Sequence, residues 1–181
     1  MIALVLAALI ASIVLLNSSG PKMQVNDSGG DVLVAFGPSF PNAVDMTGAT
    51  IEETGNNVNC SVLVKEAVST LNVGQTVTWE ITLVYENSTD DVVGAYTLQA
   101  VLNATGYSGT ITNVESGQTS SCNVNRNGNL ISIISSIPEG QTPDKVEWSI
   151  TSTYEAEEAG ELVANAFDFL PDEGTHTTAF P

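Results

Sequence analysis

Few residues in this chain of 181 could carry out chemistry, and they are not grouped for it. His176 is the only histidine and lies in a polar stretch, Gly-Thr-His-Thr-Thr. No serine or cysteine nucleophile accompanies it in a motif, so we interpret it as a solvated side chain. The glycines Gly29, Gly30 and Gly106 belong to no phosphate-binding motif. The sequence therefore predicts no catalytic residue, no cofactor and no enzyme activity.

Acidic side chains are abundant and often stand in pairs. These pairs are Glu52-Glu53, Asp90-Asp91, Glu157-Glu158 and Asp172-Glu173. Adjacent carboxylates in loops are usually solvated, and only Asp90 and Asp91, with loop carbonyls, offer the oxygen ligands that calcium prefers. No C-x-x-C motif or Cys/His cluster is present, which argues against zinc. We predict no metal site, with calcium near Asp90 and Asp91 as the alternative.

Cys60 and Cys122 are the only cysteines. An even pair in an exported domain predicts a disulfide. The bond would close a loop of about 60 residues and stabilise the fold by about 4 kcal/mol. Two buried free thiols are the alternative.

The net charge is −17, with 21 acidic and four basic side chains. The basic residues are scattered, which excludes a nucleic-acid-binding patch, and the acidity favours solubility and mutual repulsion. Five Asn-x-Ser/Thr sequons begin at Asn17, Asn26, Asn59, Asn87 and Asn103. We predict glycans at the last four, of which Asn87 and Asn103 lie in predicted turns where a glycan would not disturb packing.

The stretch from Met1 to Leu16 carries no charge, and its only polar side chain is Ser12. No basic cluster precedes it, so we interpret the chain as already trimmed to a mature N-terminus. As a helix, residues 1–19 would rise ~28 Å, close to the ~30 Å of a bilayer core. Gly20 and Pro21 would end the helix, and the excess of Ala and Leu over Val and Ile favours helix over strand.

This predicted helix has two interpretations. It is either a membrane anchor, such as a retained signal segment, or a helix that packs with its copies at the centre of a filament. In the second case the residues expected to be buried are Ile2, Leu4, Leu6, Ala7, Leu9, Ile10, Ala11, Ile13, Val14 and Leu16.

Beyond residue 30 apolar and polar residues alternate with a period of two, which predicts strands. The clearest runs are 76–85 and 145–154, which place Trp79 and Trp148 in the core. Weaker strands are predicted at 31–36, 61–65, 95–103, 109–115, 130–135 and 161–169. The segment 156–166 is predicted as a loop that leads into the last strand, with a helical turn as the alternative. Asn127-Gly128 predicts a tight turn.

The two clearest runs also repeat a pattern. Gly-Gln-Thr at 74–76 and at 140–142 each precedes the motif W-x-I-T-x-x-Y-E. We interpret the two copies as core strands entered by equivalent turns, with coincidence as the alternative. The domain organisation predicted is a helix over 1–20, a linker over 21–30 and one sandwich over 31–181.

Two segments resemble known families. The run VLVKEAVSTLNVGQTVTWEITLVY at 62–85 resembles the opening of Ig-like repeat domains of prokaryotic surface proteins, and 117–150 resembles their second half. The run IALVLAALIASIVLLNSSG resembles the apolar segment of archaeal archaellins and type IV pilins, although it is shorter and has no leader. The first resemblance implies fold and surface location; the second implies a helical filament core with a β-sandwich coat.

The predicted fold class is therefore mainly β, with a single N-terminal hydrophobic α-helix followed by an Ig-like antiparallel β-sandwich. The predicted function is a structural subunit of an extracellular type IV pilus-like or archaellum-like filament for adhesion or motility. Expected partners are further copies in a homopolymer, the membrane during assembly, and surfaces or cells as adhesion targets, with no nucleic acid. The alternatives are a membrane-anchored accessory or binding protein of the envelope, a strand-donation fibre subunit and, least favoured by the residues, a small enzyme.

Overall fold

The computed structural model of the chain describes residues 22–27, 29–37, 39–54, 57–136, 143–171 and 174–179. All regular secondary structure in these residues is β. The strands are β1 Lys22–Asn26, β2 Leu33–Phe36, β3 Met46–Thr54, β4 Asn57–Val64, β5 Gln75–Glu86, β6 Val92–Asn103, β7 Gly106–Asn113, β8 Thr119–Ser121, β9 Asn123–Asn127, β10 Leu130–Ser136, β11 Lys145–Glu158, β12 Glu161–Leu170 and β13 His176–Ala179.

The predicted fold class, an N-terminal helix followed by an Ig-like sandwich, is wrong. The described chain is all-β and antiparallel, because its apolar residues alternate with a period of two and nowhere follow a helical period. The segment 1–20 that was predicted as a helix lies outside the described residues. Within the described ranges, no helix is long and apolar enough to cross a membrane.

The strands form two antiparallel sheets. The five-stranded sheet has the order β1-β3-β4-β10-β9, and the eight-stranded sheet has the order β2-β12-β11-β5-β6-β7-β8, with β13 paired to β11. Residues 22–26, predicted as part of a linker, form β1 at the edge of the first sheet. Met23 explains this placement, since it is buried against the core while its neighbour Gln24 is exposed.

One hydrophobic core receives side chains from both sheets. The five-stranded sheet contributes Ile51, Val62 and Ile133, and the eight-stranded sheet contributes Trp79 and Trp148, among others. The prediction that both tryptophans lie in the core is confirmed. Burial alternates strictly along most of β5 and β11, as expected for strands with one face against the core.

The hairpin of β11 and β12 replaces the helical turn considered for 156–166. β11 runs on to Glu158, and β12 begins at Glu161 after a turn at Ala159 and Gly160. The two copies of the repeated motif are neighbours, but they are not equivalent in register, since Trp79 lies opposite Ser152 and Trp148 opposite Leu83. Residues 140–142, the second predicted turn, lie outside the described residues.

Candidate functional site

Both cysteines are free thiols in the structure, which does not form the predicted disulfide between them. Cys60 is fully buried on β4, and half-buried Cys122 directly precedes β9. β10 lies between β4 and β9, so β9 is about two strand spacings of ~4.8 Å from β4, beyond the ~6.8 Å that a disulfide usually spans between Cα atoms. Burial raises the pKa of both thiols, which disfavours the reactive thiolate.

His176 is not the solvated side chain that the sequence predicted. It lies on β13 opposite Trp148, and the two ring centroids are 5.1 Å apart with 25° between the ring planes. The ring is half-buried. The polar sequence around His176 did not reveal this contact, because Trp148 is brought to it by strand pairing.

The loop from Asn87 to Asp91 is held by its own side chains and by Lys145 of β11. Lys145 Nζ lies 2.8 Å from Glu86 Oε2 and 2.8 Å from Asp90 Oδ1. Hydrogen bonds to Asp90 and Glu86 raise the pKa of the Lys145 ammonium. The Asp91 carboxylate accepts a hydrogen bond from Thr89 Oγ1 at 2.6 Å. A lysine ammonium thus pairs with Asp90 of the loop in which calcium was the alternative, while Asp91 bonds to Thr89.

The sequons at Asn87 and Asn103 share a local geometry. Asn87 Oδ1 accepts hydrogen bonds from the backbone and hydroxyl of Thr89, and Asn103 Oδ1 does the same with Thr105. Both segments lie at hairpin ends, as predicted, with Asn103 the last residue of β6. Asn26 and Asn59 lie on β1 and β4, while Asn17 lies outside the described residues. Glycosylation at these positions stays a prediction.

Three carboxylates meet beside the connection between β1 and β2. One oxygen each of Asp27, Asp31 and Asp168 lies within 4.8 Å of the others. Since Ca–O bonds are about 2.3–2.6 Å long, these are the described residues that could hold a divalent cation together. Asp27 Oδ2 is buried and has no hydrogen-bond partner among the described residues. Sequence reasoning missed this group because strand β12 brings Asp168 to the other two.

Asp168 is the buried member of this group. Burial raises the pKa of its carboxyl to about 6, and the charges of Asp31 and Asp27 add to the rise. Hydrogen bonds from the backbone N–H groups of Met46, at 2.6 Å, and Phe169, at 3.0 Å, oppose it. A carboxyl whose pKa is higher in the folded protein than its ordinary value of 3.8 binds its proton more tightly when folded.

This difference between the folded and the ordinary pKa of Asp168 makes the stability of the protein depend on pH. The contribution of Asp168 is favourable below about pH 4 and is lost as pH rises towards 6. Between about pH 4 and pH 7 we therefore expect wild type to lose about 2–3 kcal/mol of unfolding free energy relative to Asp168→Asn. Urea unfolding of both proteins at each pH, with EDTA present, measures the loss.

Asp91→Asn provides a control of opposite sign. Hydrogen bonds from Thr89 and Asn87 lower the pKa of the exposed Asp91 carboxyl. Its contribution is therefore present above its ordinary pKa and is lost as pH falls. A pH dependence that Asp168→Asn leaves unchanged would contradict our assignment.

A polar cleft of about 530 Å³ opens between the two sheets near β8 and β9. Its lining side chains are neutral: Asn57, Tyr96, Ile111, Asn113, Gln118, Ser120, Ser121, Cys122, Asn123, Ile134, Ser135 and Ser136. Several of these polar groups already bond within the protein, as when Ser136 Oγ donates to Asn57 Oδ1 at 2.9 Å.

No family model, no curated protein and no solved structure matches this chain.

Proposed function

We propose that this chain is a structural subunit of an extracellular filament whose copies associate through the apolar segment 1–16. The observation that carries the proposal is the separation of charge along the chain. All 21 acidic and all four basic side chains follow Leu16, and none precedes it. Covering an apolar stretch stabilises by about 25 cal/mol per Å², whereas the acidic remainder is best left in water.

The core between the two sheets supports assembly through the apolar segment and an acidic remainder that stays in water. Trp79, Leu98, Ile133 and Ile150 are almost completely buried there by strands of the described body. Because the described strands already supply this core, we propose that the apolar segment is covered by other copies of the chain.

The sequons and the acidity favour a location outside the cell. Asn87 and Asn103 lie at hairpin ends, where an attached glycan would face water. A surface of one sign also keeps neighbouring filaments apart. Adhesion and motility are both compatible with such a subunit.

A charge placed in the apolar segment tests the proposal. We expect Ala7→Asp or Ala11→Asp to abolish filament formation, because an unpaired buried carboxylate costs several kcal/mol per subunit. Electron microscopy of the purified full chain after detergent removal measures the effect.

The matched control is Ala159→Asp. Ala159 is exposed at the turn between β11 and β12 with φ +54°, a conformation that Asp adopts more readily than Ala. We expect filaments from the wild type and from this control. Normal filaments from Ala7→Asp, or none from the wild type, would contradict the proposed function.

A further inference from the structure

Exposed apolar side chains concentrate on two neighbouring strands. Leu33 is 60% exposed and Phe36 is 45% exposed, and both lie on β2. We define the apolar edge surface as Leu33, Val34 and Phe36 on β2 with Leu162, Val163 and Phe169 on β12. These six are more than half of the exposed large hydrophobic residues of the described chain. Of these, Leu33 and Phe36 share the outer face of the sheet with Val163 and Phe169. Exposed apolar side chains grouped in this way indicate an interaction site.

β2 is also an edge strand, short and with a register shift in its pairing with β12, but without protective charge or proline. Its only strand partner among the described residues is β12, and the described chain pairs nothing with the other side of its backbone. Its sequence, Leu-Val-Ala-Phe, contains no charge and no proline, which are common devices against edge pairing.

The other free edges are polar. β8 reads Thr-Ser-Ser, β9 reads Asn-Val-Asn-Arg-Asn, and β13 reads His-Thr-Thr-Ala. β1 alternates Lys-Met-Gln-Val-Asn, with Met23 buried. Exposure of apolar residues is therefore a property of the β2 edge in particular and not of all the sheet edges.

A buried acceptor at the same edge is also unsatisfied. Asn165 lies opposite Phe36 in the pairing of β12 with β2 and is 8% exposed. Its Oδ1 has no hydrogen-bond partner in the described part of the chain. Unsatisfied buried acceptors are rare in native proteins, so a partner that donates a hydrogen bond would also suit this position.

We infer that the apolar edge surface is the docking site for the apolar segment 1–16 of a second copy of this chain. The inference rests on the proposed function and names the surface that receives the segment. It assigns to each subunit one donated segment and one receiving edge. A contact of this kind joins two different surfaces and can repeat without closing, which generates a filament.

Charge favours this occupant over the body of another copy. Two bodies that share the net charge of −17 repel each other, whereas segment 1–16 carries no charge, so docking the segment brings less like charge to β2 than docking a body would. The chemical match is apolar against apolar, since β2 itself contains only Leu, Val, Ala and Phe.

The length of segment 1–16 is also sufficient for docking on β2. Fully extended, 16 residues span about 50 Å, and the four residues of β2 span about 13 Å. The described body begins at Lys22 on β1, which edges the five-stranded sheet, while β2 edges the eight-stranded sheet. A segment of this length can reach the β2 edge of a neighbouring copy, and charge and composition lead us to place it there.

Matched double variants test the surface. We expect Leu33→Lys with Phe36→Lys to raise the concentration needed for assembly about tenfold or more, because charge replaces two apolar contacts. The control is Val92→Lys with Val114→Lys, which changes the charge equally at positions 58% and 55% exposed, on and beside strands β6 and β7, which are separated from β12 by β11 and β5. Light scattering against concentration measures assembly, and circular dichroism checks the fold of each variant.

Cross-linking identifies the occupant independently of these variants. Benzoylphenylalanine at position 36 is activated in an equal mixture of ¹⁴N- and ¹⁵N-labelled full chains. We expect cross-links from position 36 of one isotope to residues 1–16 of the other. Cross-links to these residues only within one isotope, to other parts of the chain, or none at all would overturn the inference.

The outcomes separate this inference from the proposed function. If the Leu33 and Phe36 double variant assembles like the wild type while Ala7→Asp does not, the receiving surface is refuted and the filament role stands. If the wild type forms no assembly, both the role and the surface are refuted.

Discussion

Trp79→Ala is expected to lower the free energy of unfolding by about 3–5 kcal/mol. Trp79 is fully buried on β5, and its ring stacks on Tyr107 with centroids 6.1 Å apart and 13° between the planes. β5 is hydrogen-bonded to β11 on one side and β6 on the other, so its backbone cannot move inwards to fill the space left by the indole. Urea unfolding followed by the fluorescence of the remaining Trp148 measures the loss.

Trp79→Phe separates loss of volume from loss of polar contacts. The indole N–H of Trp79 has no hydrogen-bond partner among the described residues. Phenylalanine therefore removes no hydrogen bond and retains an aromatic ring beside Tyr107, so a clearly smaller loss is expected. Equal losses for the alanine and phenylalanine variants would contradict a cavity as the cause.

The long central strands were predictable from local sequence alone. In β5 and β11 a large apolar residue occupies nearly every second position, including Trp79 and Trp148, and the intervening positions are mostly Thr, Ser and Glu. This period places one face against the core whatever the partner strands are. Predictions over 76–85 and 145–154 are therefore confirmed by β5 and β11, which are each somewhat longer.

β3 was missed because its core face is small and partly acidic. Ala49 and Ile51 point into the core, and Glu53 follows them with the same alternation. Tyr85 donates its hydroxyl to Glu53, and burial is the main cause that raises the pKa of the Glu53 carboxyl. The sequence around Glu53 does not reveal that it can be buried, because its partner Tyr85 lies on another strand.

The edge strands β8, β9 and β13 were missed for a different reason. Their residues are almost all polar, so they have no apolar face to detect. They become strands by pairing with β7, β10 and β11, which lie beside them only in the folded chain. Pairing between strands fixes the conformation of such segments more than local preference does.

The helix in the predicted fold class was inferred from the apolar segment 1–16. The composition of the segment favours helix, but the segment lies outside the described residues, which form only strands, and the predicted fold class of a helix followed by a sandwich is wrong for the described chain. The group of Asp27, Asp31 and Asp168 could not be predicted either, because a connection after β1 and a late strand supply its members.

Gly74→Ala is expected to lower the free energy of unfolding by about 3–4 kcal/mol, against about 1–2 kcal/mol for Gly160→Ala. Both glycines have φ +83°, so both variants carry the same cost of a left-handed backbone. A Cβ at Gly74 would lie 2.4 Å from the backbone oxygen of Glu157, whereas a Cβ at Gly160 would meet nothing within 4 Å. The difference between the two variants therefore isolates the contact.

The contact at Gly74 cannot relax cheaply, because backbone groups form it on both sides. The Glu157 N–H donates to the Gly74 carbonyl at 2.8 Å, and the pairing of β11 with β12 shifts register between Ala156 and Glu157. An added methyl group must push β11 away from the turn that precedes β5 and break this hydrogen bond. Urea unfolding of both variants measures the difference. Equal losses for Gly74→Ala and Gly160→Ala would mean that β11 shifts at its bulge to accommodate the methyl group. The close contact between Gly74 and Glu157 would then not hold these strands in place.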